Sequence, residues 1–271
     1  MKFPKLLLLL LLSLLCALPA RAQTLYIAAA SDLVFCLDEM NTAFRRQAPK
    51  ADLKVTAGSS GNFFAQIKNG APYEVYLSAD MQYPKDLARD GFADAGSLTP
   101  YAIGRVALWT INPKIDVSRG LAVLADPAVK RIALANPEHA PYGRAGKSAI
   151  EAAGLWNQVS AKIVMGESIS QTAQFVQTGN AEAGLVALAL VKAPKMAGIG
   201  KYFLIPASAH PALEQGAILT TKGAANPLAR QYMQFLRSAE ARAIFDRYGF
   251  TLPAVNQAPN AGQVPDSGKA N

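Results

Sequence analysis

The amino-acid sequence predicts an α/β protein in which parallel sheets carry helices on both faces. Two observations support this prediction. Short strand-like segments alternate with amphipathic helix-like segments, and one β-rich run at residues 105–111 (RVALWTI) interrupts the alternation before it resumes. The chain has 271 residues. About 230 ordered residues are enough for two domains of ordinary size.

The first set of alternating segments precedes this β-rich run. Strands are predicted where a short apolar segment is rich in β-branched or aromatic residues, and helices where apolar residues recur every three or four positions. The predicted strands are residues 25–29, 52–57 and 75–78, and the predicted helices are residues 33–47, 62–69 and 82–90.

The second set follows the β-rich run and has the character of a separate domain. Its predicted strands are residues 131–135, 161–165 and 183–187, and its predicted helices are residues 145–153 and 170–178. After this set, residues 201–206 and 216–221 are strand-like, and residues 227–248 have the apolar period of one or two helices.

Both ends of the chain differ in composition from the rest. Residues 1–22 have the pattern of a secretory signal peptide, with two lysines, an apolar run at 6–18 and the cleavage motif ARA at 20–22. The apolar run is shorter than the roughly 20 residues that span a membrane, so we expect a soluble exported protein rather than a membrane-anchored one. Residues 254–271 are rich in Ala, Pro, Gly and Asn, which predicts a disordered tail.

The charge of the chain is mildly basic. Its 27 Lys and Arg against 19 Asp and Glu give +8, and loss of residues 1–22 with their three basic side chains leaves 24 − 19 = +5. The basic residues are scattered, so no patch typical of nucleic-acid binding is expected. A positive field of this size favours the approach of an anionic ligand.

Cysteine and histidine are too scarce for most catalytic or metal chemistry. Cys36 is the single cysteine after residue 22, which excludes an intramolecular disulfide, and its apolar neighbours predict a buried hydrophobic residue rather than a nucleophile. His139 and His210 are the only histidines, which is a poor basis for a zinc site or a nucleophile–base pair. We therefore expect no catalytic residue and no cofactor.

Four predicted strand-to-helix turns carry groups suited to an anion: AAASD, AGSSGN, PYGRAG and GESIS. In open α/β sheets such turns lie at the carboxyl ends of the strands, where ligands bind, and helix N-termini offer free N–H groups. If two domains face each other, the hydroxyls of Ser31 and Ser60 and the amides of Tyr142 and Ile169 converge on one cleft. Taken alone, each Ser motif favours an ordinary helix cap, and Asp32 is assigned to a cap that points elsewhere.

The run Gly146-Lys147-Ser148 matches the end of a phosphate-binding P-loop. The glycine required five residues earlier is Pro141, which has no N–H to donate, so a nucleotide site is not predicted. What remains is a Gly-containing turn that leads into the helix at 145–153. Arg144 and Lys147 are assigned to a solvated face of that helix.

Several motifs, in this order, are similar to those of the periplasmic molybdate-binding proteins of ABC importers. The resemblance spans residues 25–253. It implies the type II periplasmic-binding-protein fold, in which two α/β lobes are joined by two crossover strands. The implied lobes are residues 23–103 plus 207–253, and residues 104–206. The motifs are AAASDL, GSSGNFFAQIKNGAPYEVYLSAD, PEHAPYGRAGKSAIEAAGLW and IFDRYGF.

The resemblance implies a monomeric periplasmic protein, not an enzyme, that binds molybdate and tungstate and delivers them to an ABC permease. Ser31, Ser60, Tyr142 and Ile169 would contact the oxyanion, and no side chain would coordinate molybdenum directly. Some members of the family carry a tyrosine donor, and others a nearby serine, where this chain has Ala187-Leu188-Ala189. Ala187 therefore marks a missing donor, for which the Tyr142 hydroxyl is a candidate substitute.

Two alternatives remain at this point. Sulfate or another small oxyanion would suit the same tetrahedral arrangement of donors. A serine hydrolase is the alternative from another class, with Ser60 as nucleophile, but the nucleophile elbow G-x-S-x-G would need a glycine where this chain has Asn62.

Overall fold

The computed structural model describes residues 23–253. The predicted signal peptide at 1–22 and the predicted tail at 254–271 lie outside the described residues. Between 23 and 253 the chain forms two five-stranded mixed sheets, each flanked by helices, which confirms the predicted α/β class and its two lobes. None of the helices in this part of the chain combines the length and the apolar character that crossing a membrane requires.

The sheet of lobe 1 has the strand order β2-β1-β3-β10-β4. β1 runs parallel to β2 and β3, whereas β10 runs antiparallel to both of its neighbours. The central strand β3 is buried along its whole length, as expected for a strand covered on both faces. The strands are β1 (Gln23–Ala30), β2 (Ala51–Gly58), β3 (Val75–Ser78), β4 (Thr99–Gly104) and β10 (Leu213–Leu219).

The sheet of lobe 2 repeats this arrangement, with the order β7-β6-β8-β5-β9. β6 runs parallel to β7 and β8, and β5 runs antiparallel to β8 and β9. The predicted strand at 161–165 begins two residues later, because residues 160–162 form a 3₁₀ turn. The strands are β5 (Val106–Thr110), β6 (Ile132–Ala135), β7 (Ile163–Gly166), β8 (Ala183–Ala187) and β9 (Lys201–Leu204).

The chain passes between the lobes twice. Only Arg105 separates β4 from β5, so the first crossing is a nearly continuous strand, and the return crossing leads from β9 to β10. The pairing of β10 with β4 shifts register between Gln215 and Gly216. Such irregularities change the direction of a side chain, and Gln215 is fully buried at this point.

The helices begin close to the predicted positions, with one correction. The helix expected at 145–153 starts at Pro141, because the fixed φ of proline suits the first helical position. The predicted turn before it is therefore the first turn of the helix itself. The helices are α1 (Val34–Gln47), α2 (Ser60–Lys68), α3 (Gln82–Arg89), α4 (Pro141–Ala152), α5 (Trp156–Val159), α6 (Ile169–Gln177), α7 (Leu188–Val191), α8 (Pro227–Leu236) and α9 (Ala239–Arg247).

Aromatic side chains fill much of the core. Phe44 of α1 meets Tyr232 of α8 edge-to-face, with ring centroids 5.0 Å apart, which fastens the C-terminal helices to lobe 1. Trp109 of β5 is fully buried, and its indole N–H donates to the Ile199 carbonyl over 3.0 Å. Cys36 is buried as predicted, and burial raises the pKa of its thiol, so it acts as a small hydrophobic residue.

Candidate functional site

A small cavity lies between the two lobes. It sits where β1 and β2 end, with the first turns of α2, α4 and α6 facing it. No Lys or Arg is among its lining residues in the described part of the chain. The lining residues are Ala30, Ser31, Asp32, Gly58, Ser59, Ser60, Ala79, Ala140, Pro141, Tyr142 and Ile169.

All four residues that the sequence singled out lie on the wall of this cavity. Ser31 and Ser60 come from lobe 1, and Tyr142 and Ile169 come from lobe 2. Ser60 and Ile169 are each the first residue of a helix, and Tyr142 is the second. Backbone N–H groups in a first turn have no intrahelical acceptor and carry the positive end of the helix dipole, so these positions suit a negatively charged ligand.

The side chain of Ser60 is oriented by its neighbours in lobe 1. Its Oγ accepts a hydrogen bond from the Ala79 N–H over 3.0 Å, and its carbonyl accepts one from the Tyr76 hydroxyl over 2.7 Å. Ser60 is 1 % exposed. Since the Oγ already accepts from a backbone donor, its own proton is available for an acceptor in the cavity.

Backbone contacts join the lobes beside the cavity. The Gly61 N–H donates to the His139 carbonyl over 2.9 Å, and the Ser59 hydroxyl donates to the same carbonyl. The Ser170 N–H donates to Ser31 Oγ over 3.2 Å. These bonds connect lobe 1 to lobe 2 on both sides of the cavity, so the structure represents the closed form of the cleft.

Gly61 is the residue that allows this close approach. A Cβ at position 61 would lie 2.7 Å from the His139 carbonyl oxygen and 2.9 Å from the His139 Cα. Both atoms belong to the backbone of the opposite lobe and cannot rotate away. The glycine of the GSSG motif therefore permits the lobes to close over the cavity.

An ion pair also spans the cleft. Arg144 of α4 pairs with Asp80, and its guanidinium lies over the Tyr83 ring at 5.6 Å from the ring centroid. The Arg144 side chain is 40 % exposed, so it lies on a partly solvated helix face and also takes part in the lobe–lobe contact. Lys147 does face outward, near Glu151 and the Trp156 ring.

Asp32 is placed differently from the prediction. It does not cap a helix; residues Ser31–Leu33 form a 3₁₀ turn, and Asp32 is 1 % exposed and lines the cavity. Its Oδ2 accepts from Gln215 Nε2 over 2.6 Å, whereas its Oδ1 accepts no hydrogen bond from any side chain or backbone group between residues 23 and 253. Burial raises the pKa of this carboxyl to about 6, and the hydrogen bond from Gln215, with weaker polar contacts from Tyr142 and the backbone of residues 32 and 33, offsets only part of the effect.

The Tyr142 hydroxyl lies next to Asp32 and Gln215 at the crossover strands. Gln215 Nε2 is 3.4 Å from it, and a Cβ at Gly104 would come within 2.3 Å of it. Gly104, the last residue of β4, thus leaves room for this ring. Ala187 is fully buried at the end of β8 and is not among the described residues that line the cavity.

The geometry of the site does not support the hydrolase alternative. No histidine among residues 23–253 forms a hydrogen bond with Ser60. His139 Nδ1 is 3.1 Å from Ser59 Oγ, and His139 Nε2 is 3.3 Å from Glu167. However, the Ser59 proton is directed at the His139 carbonyl, and the Glu167 side chain is 74 % exposed. A nucleophilic serine needs its proton directed at the base, which this arrangement does not provide. Within 23–253 there is also no cluster of His, Cys, Asp and Glu that could hold a metal ion.

Comparison with known proteins identifies the family. A family model described as "Bacterial extracellular solute-binding protein" matches residues 25–251. The chain belongs to this family. Its relatives include the molybdate-binding proteins ModA of Azotobacter vinelandii, 36 % identical over 88 % of this chain and 94 % of the relative, and of Rhodobacter capsulatus, 34 % identical over 86 % and 90 %.

A solved structure agrees with the sequence relatives. The periplasmic molybdate-binding protein of Azotobacter vinelandii superposes on this solute-binding protein with a TM-score of 0.80 and 34 % identity, covering 85 % of this chain and all of that one. The predicted type II fold is thereby confirmed. Solute-binding proteins are transport components rather than enzymes, so the expectation of a non-enzymatic protein is confirmed by kinship.

The partners of the predicted residues have no local signal in the sequence. Gln215 lies 183 residues from Asp32, and Asp80 lies 64 residues from Arg144, so no local pattern connects them. A signal was available for Gly61 alone, because the motif GSSG places a second glycine after the serines. The motif alone does not indicate that this glycine contacts the other lobe.

Replacement of Asp32 by Asn should stabilise the ligand-free protein above pH 6. The folded-state pKa of about 6 exceeds the usual aspartate value of 3.8, so the stability contributed by the protonated form is fully present below about 3.8 and lost as the pH rises through about 6. At pH 7.5 the buried charge costs about 3 kcal/mol, at 1.36 kcal/mol per pKa unit. Urea unfolding at pH 4.5 and 7.5 should show the gain of Asp32→Asn mainly at pH 7.5.

The control for this comparison is Asp52→Asn. Asp52 lies near the start of β2, and its side chain is 42 % exposed, so the loss of its charge should not stabilise the protein at pH 7.5. Equal effects of Asp32→Asn at both pH values would show that Asp32 is not a destabilising buried charge.

Proposed function

We propose that this protein captures molybdate between its lobes and delivers it to the membrane permease of an ABC importer. The observation that carries the proposal is the ring of hydrogen-bond donors around one closed cavity, two from each lobe: Ser31, Ser60, Tyr142 and Ile169. The kinship with two molybdate-binding proteins that are at least 34 % identical to it supports the choice of ligand.

The donors can account for useful affinity without a cationic side chain. A hydrogen bond to a charged group contributes roughly 1.5–3 kcal/mol, and a helix N-terminus contributes about 0.3–1 kcal/mol, or about 2 when partly buried. Several such contacts together offset the desolvation of an oxyanion and leave room for dissociation constants between about micromolar and nanomolar. Molybdenum would remain enclosed in its four oxygens, with no direct bond to the protein.

The permease would recognise the closed form of the cleft, which the ligand stabilises. Contacts from both lobes are needed for hinge closure, because a ligand shifts a conformational equilibrium only through contacts that differ between the two states. The lobes would be residues 23–103 plus 207–253, and residues 104–206. The division into one sheet per lobe, with crossings at Arg105 and between β9 and β10, supports these limits.

The remaining parts of the proposal concern location and related ligands. We infer that residues 1–22 direct export to the periplasm, where the protein acts as a monomer. Membership of an extracellular solute-binding family supports export. Tungstate, which has the same tetrahedral dianionic form, would bind in the same way. The absence of a donor side chain at Ala187 would be tolerated because the other donors surround the anion.

Calorimetric titration of residues 23–271 with sodium molybdate tests the function directly. We expect tight binding of one anion per protein that survives an excess of sulfate. The reason is that rigid donors select an anion by its radius. Binding that sulfate abolishes would assign the protein to sulfate or a similar oxyanion, and the absence of binding would reject the molybdate function.

Ser60→Ala should weaken molybdate binding about tenfold or more. The variant removes one hydrogen bond to a charged ligand, and each 1.4 kcal/mol corresponds to a factor of ten. The matched control is Ser238→Ala, because Ser238 caps α9 through the Ala241 N–H over 3.2 Å and does not line the cavity. An unchanged dissociation constant in Ser60→Ala would remove Ser60 from the site.

Gly61→Ala should prevent full closure. The new Cβ would overlap the His139 backbone of the other lobe, so the lobes must stay further apart. We expect binding at least tenfold weaker and a smaller decrease of the radius of gyration, measured by small-angle scattering, on addition of molybdate. Gly96→Ala is the control, because a Cβ there meets only the Asp94 Oδ1 at 3.3 Å. Wild-type compaction in Gly61→Ala would show that this contact does not limit closure.

A further inference from the structure

The wall of the cavity proposed to bind an oxyanion contains one acidic residue, whose negative charge would disfavour the binding of an anion. Asp32 lies on this wall among hydrogen-bond donors, and it is the only acidic residue among the described residues that line the cavity. A carboxylate there would repel a dianion at short range, in surroundings from which solvent is largely excluded. The proposed function therefore raises the question of how this residue accommodates the ligand.

The surroundings of Asp32 supply no positive charge. The titratable side chains facing it are Tyr142 of α4, Tyr101 of β4 and Cys36 of α1, and burial raises the pKa of each, so all are uncharged near neutral pH. Gln215 of β10 adds a neutral amide. No Lys, Arg or His among residues 23–253 forms an ion pair or hydrogen bond with Asp32.

Among the described residues, the cluster also contains two buried acceptor atoms without a hydrogen bond. Asp32 Oδ1 and Gln215 Oε1 are both buried, and neither accepts a hydrogen bond from any described residue. A proton on Asp32 would give the cluster one more donor and remove its negative charge. Both effects favour the neutral carboxylic acid, and a dianion in the cavity would favour it further.

We propose that the binding of an oxyanion is coupled to protonation of Asp32, so that each dianion enters the closed cleft together with one proton. The proton comes from the solvent and bonds to a carboxylate oxygen of Asp32; no bond of the anion is made or broken. The inference rests on the proposed function, since it assumes that an oxyanion occupies this cavity. It makes Asp32 the residue that sets the pH dependence of capture.

The coupling predicts a specific pH dependence. If one proton is taken up per anion, the apparent dissociation constant for molybdate rises about tenfold for each pH unit above the pKa of Asp32 in the free protein. In the closed structure burial raises this pKa to about 6. We expect this slope between about pH 6.5 and 8, where molybdate remains a dianion. Calorimetry at pH 7.5 in two buffers with different ionisation enthalpies should give an uptake close to one proton.

Variants identify the group that takes up the proton. Asp32→Asn should bind molybdate with a nearly constant dissociation constant, without proton uptake, and about tenfold or more tightly than wild type at pH 8. His139 also lies close to the cavity, through its contact with Ser59. His139→Gln should therefore retain the wild-type slope. Asp52→Asn, about 20 Å along β2 from Gly58, controls for loss of one negative charge.

The outcomes separate this inference from the proposed function. Molybdate binding that is independent of pH in the wild-type protein, or a slope that persists in Asp32→Asn, would overturn the coupling and leave the function intact. Absence of molybdate binding at every pH would overturn both. If Asp32→Asn does not fold, proton uptake in the wild-type protein and in His139→Gln decides: uptake in both supports Asp32, and loss in His139→Gln assigns the proton to the histidine.

Discussion

The first turns of helices facing the cleft impose the main constraint on this structure. Their N–H groups have no intrahelical acceptors, and at Ser60, Tyr142 and Ile169 they lie between two lobes rather than in open solvent. Buried donors without acceptors destabilise a protein, so a closed cleft is favourable only when something supplies the acceptors. A small oxyanion has several acceptors and no donor. The cost of closing the empty cleft is therefore the feature that would make closure depend on ligand.

The two lobes close because small residues occupy the points of nearest approach. Gly61 brings the start of α2 against the His139 backbone, and Gly104 admits the Tyr142 ring beside the crossover strands. Near these points, Arg144 and Asp80 form a partly exposed ion pair. Such a pair contributes little to stability but favours one orientation of the lobes relative to each other. Steric fit at Gly61 and Gly104 thus limits how far the cleft closes, and the ion pair favours one relative orientation of the lobes.

The sequence predicts the fold well because its signals are local. Strands such as β8 (Ala183–Ala187) are short apolar runs, and the turns with Ser31 and Ser60 follow strands directly, so their convergence at one edge of the sheets follows from α/β topology. Pairings distant in sequence are not encoded in this way. The role of Asp32 depends on Gln215 and on a register shift in β10, neither of which has a local signature. An Asp that follows a strand predicts a helix cap, but at position 32 the tertiary contacts give the side chain a different place.

Asp32 shows how a buried charge in a binding site differs from a buried charge in a core. In a core, an unpaired carboxylate is a pure loss of stability and an apolar or amide residue would replace it without penalty. On the wall of a cavity that binds an anion, as proposed here for Asp32, the same carboxylate would change its protonation when the ligand enters, because the two negative charges would interact at short range in a poorly solvated space. The buried charge that lowers the stability of the empty protein would then also make the affinity for the ligand depend on pH. An asparagine at this position would remove both effects together, so stability and the pH dependence of binding are linked through a single side chain.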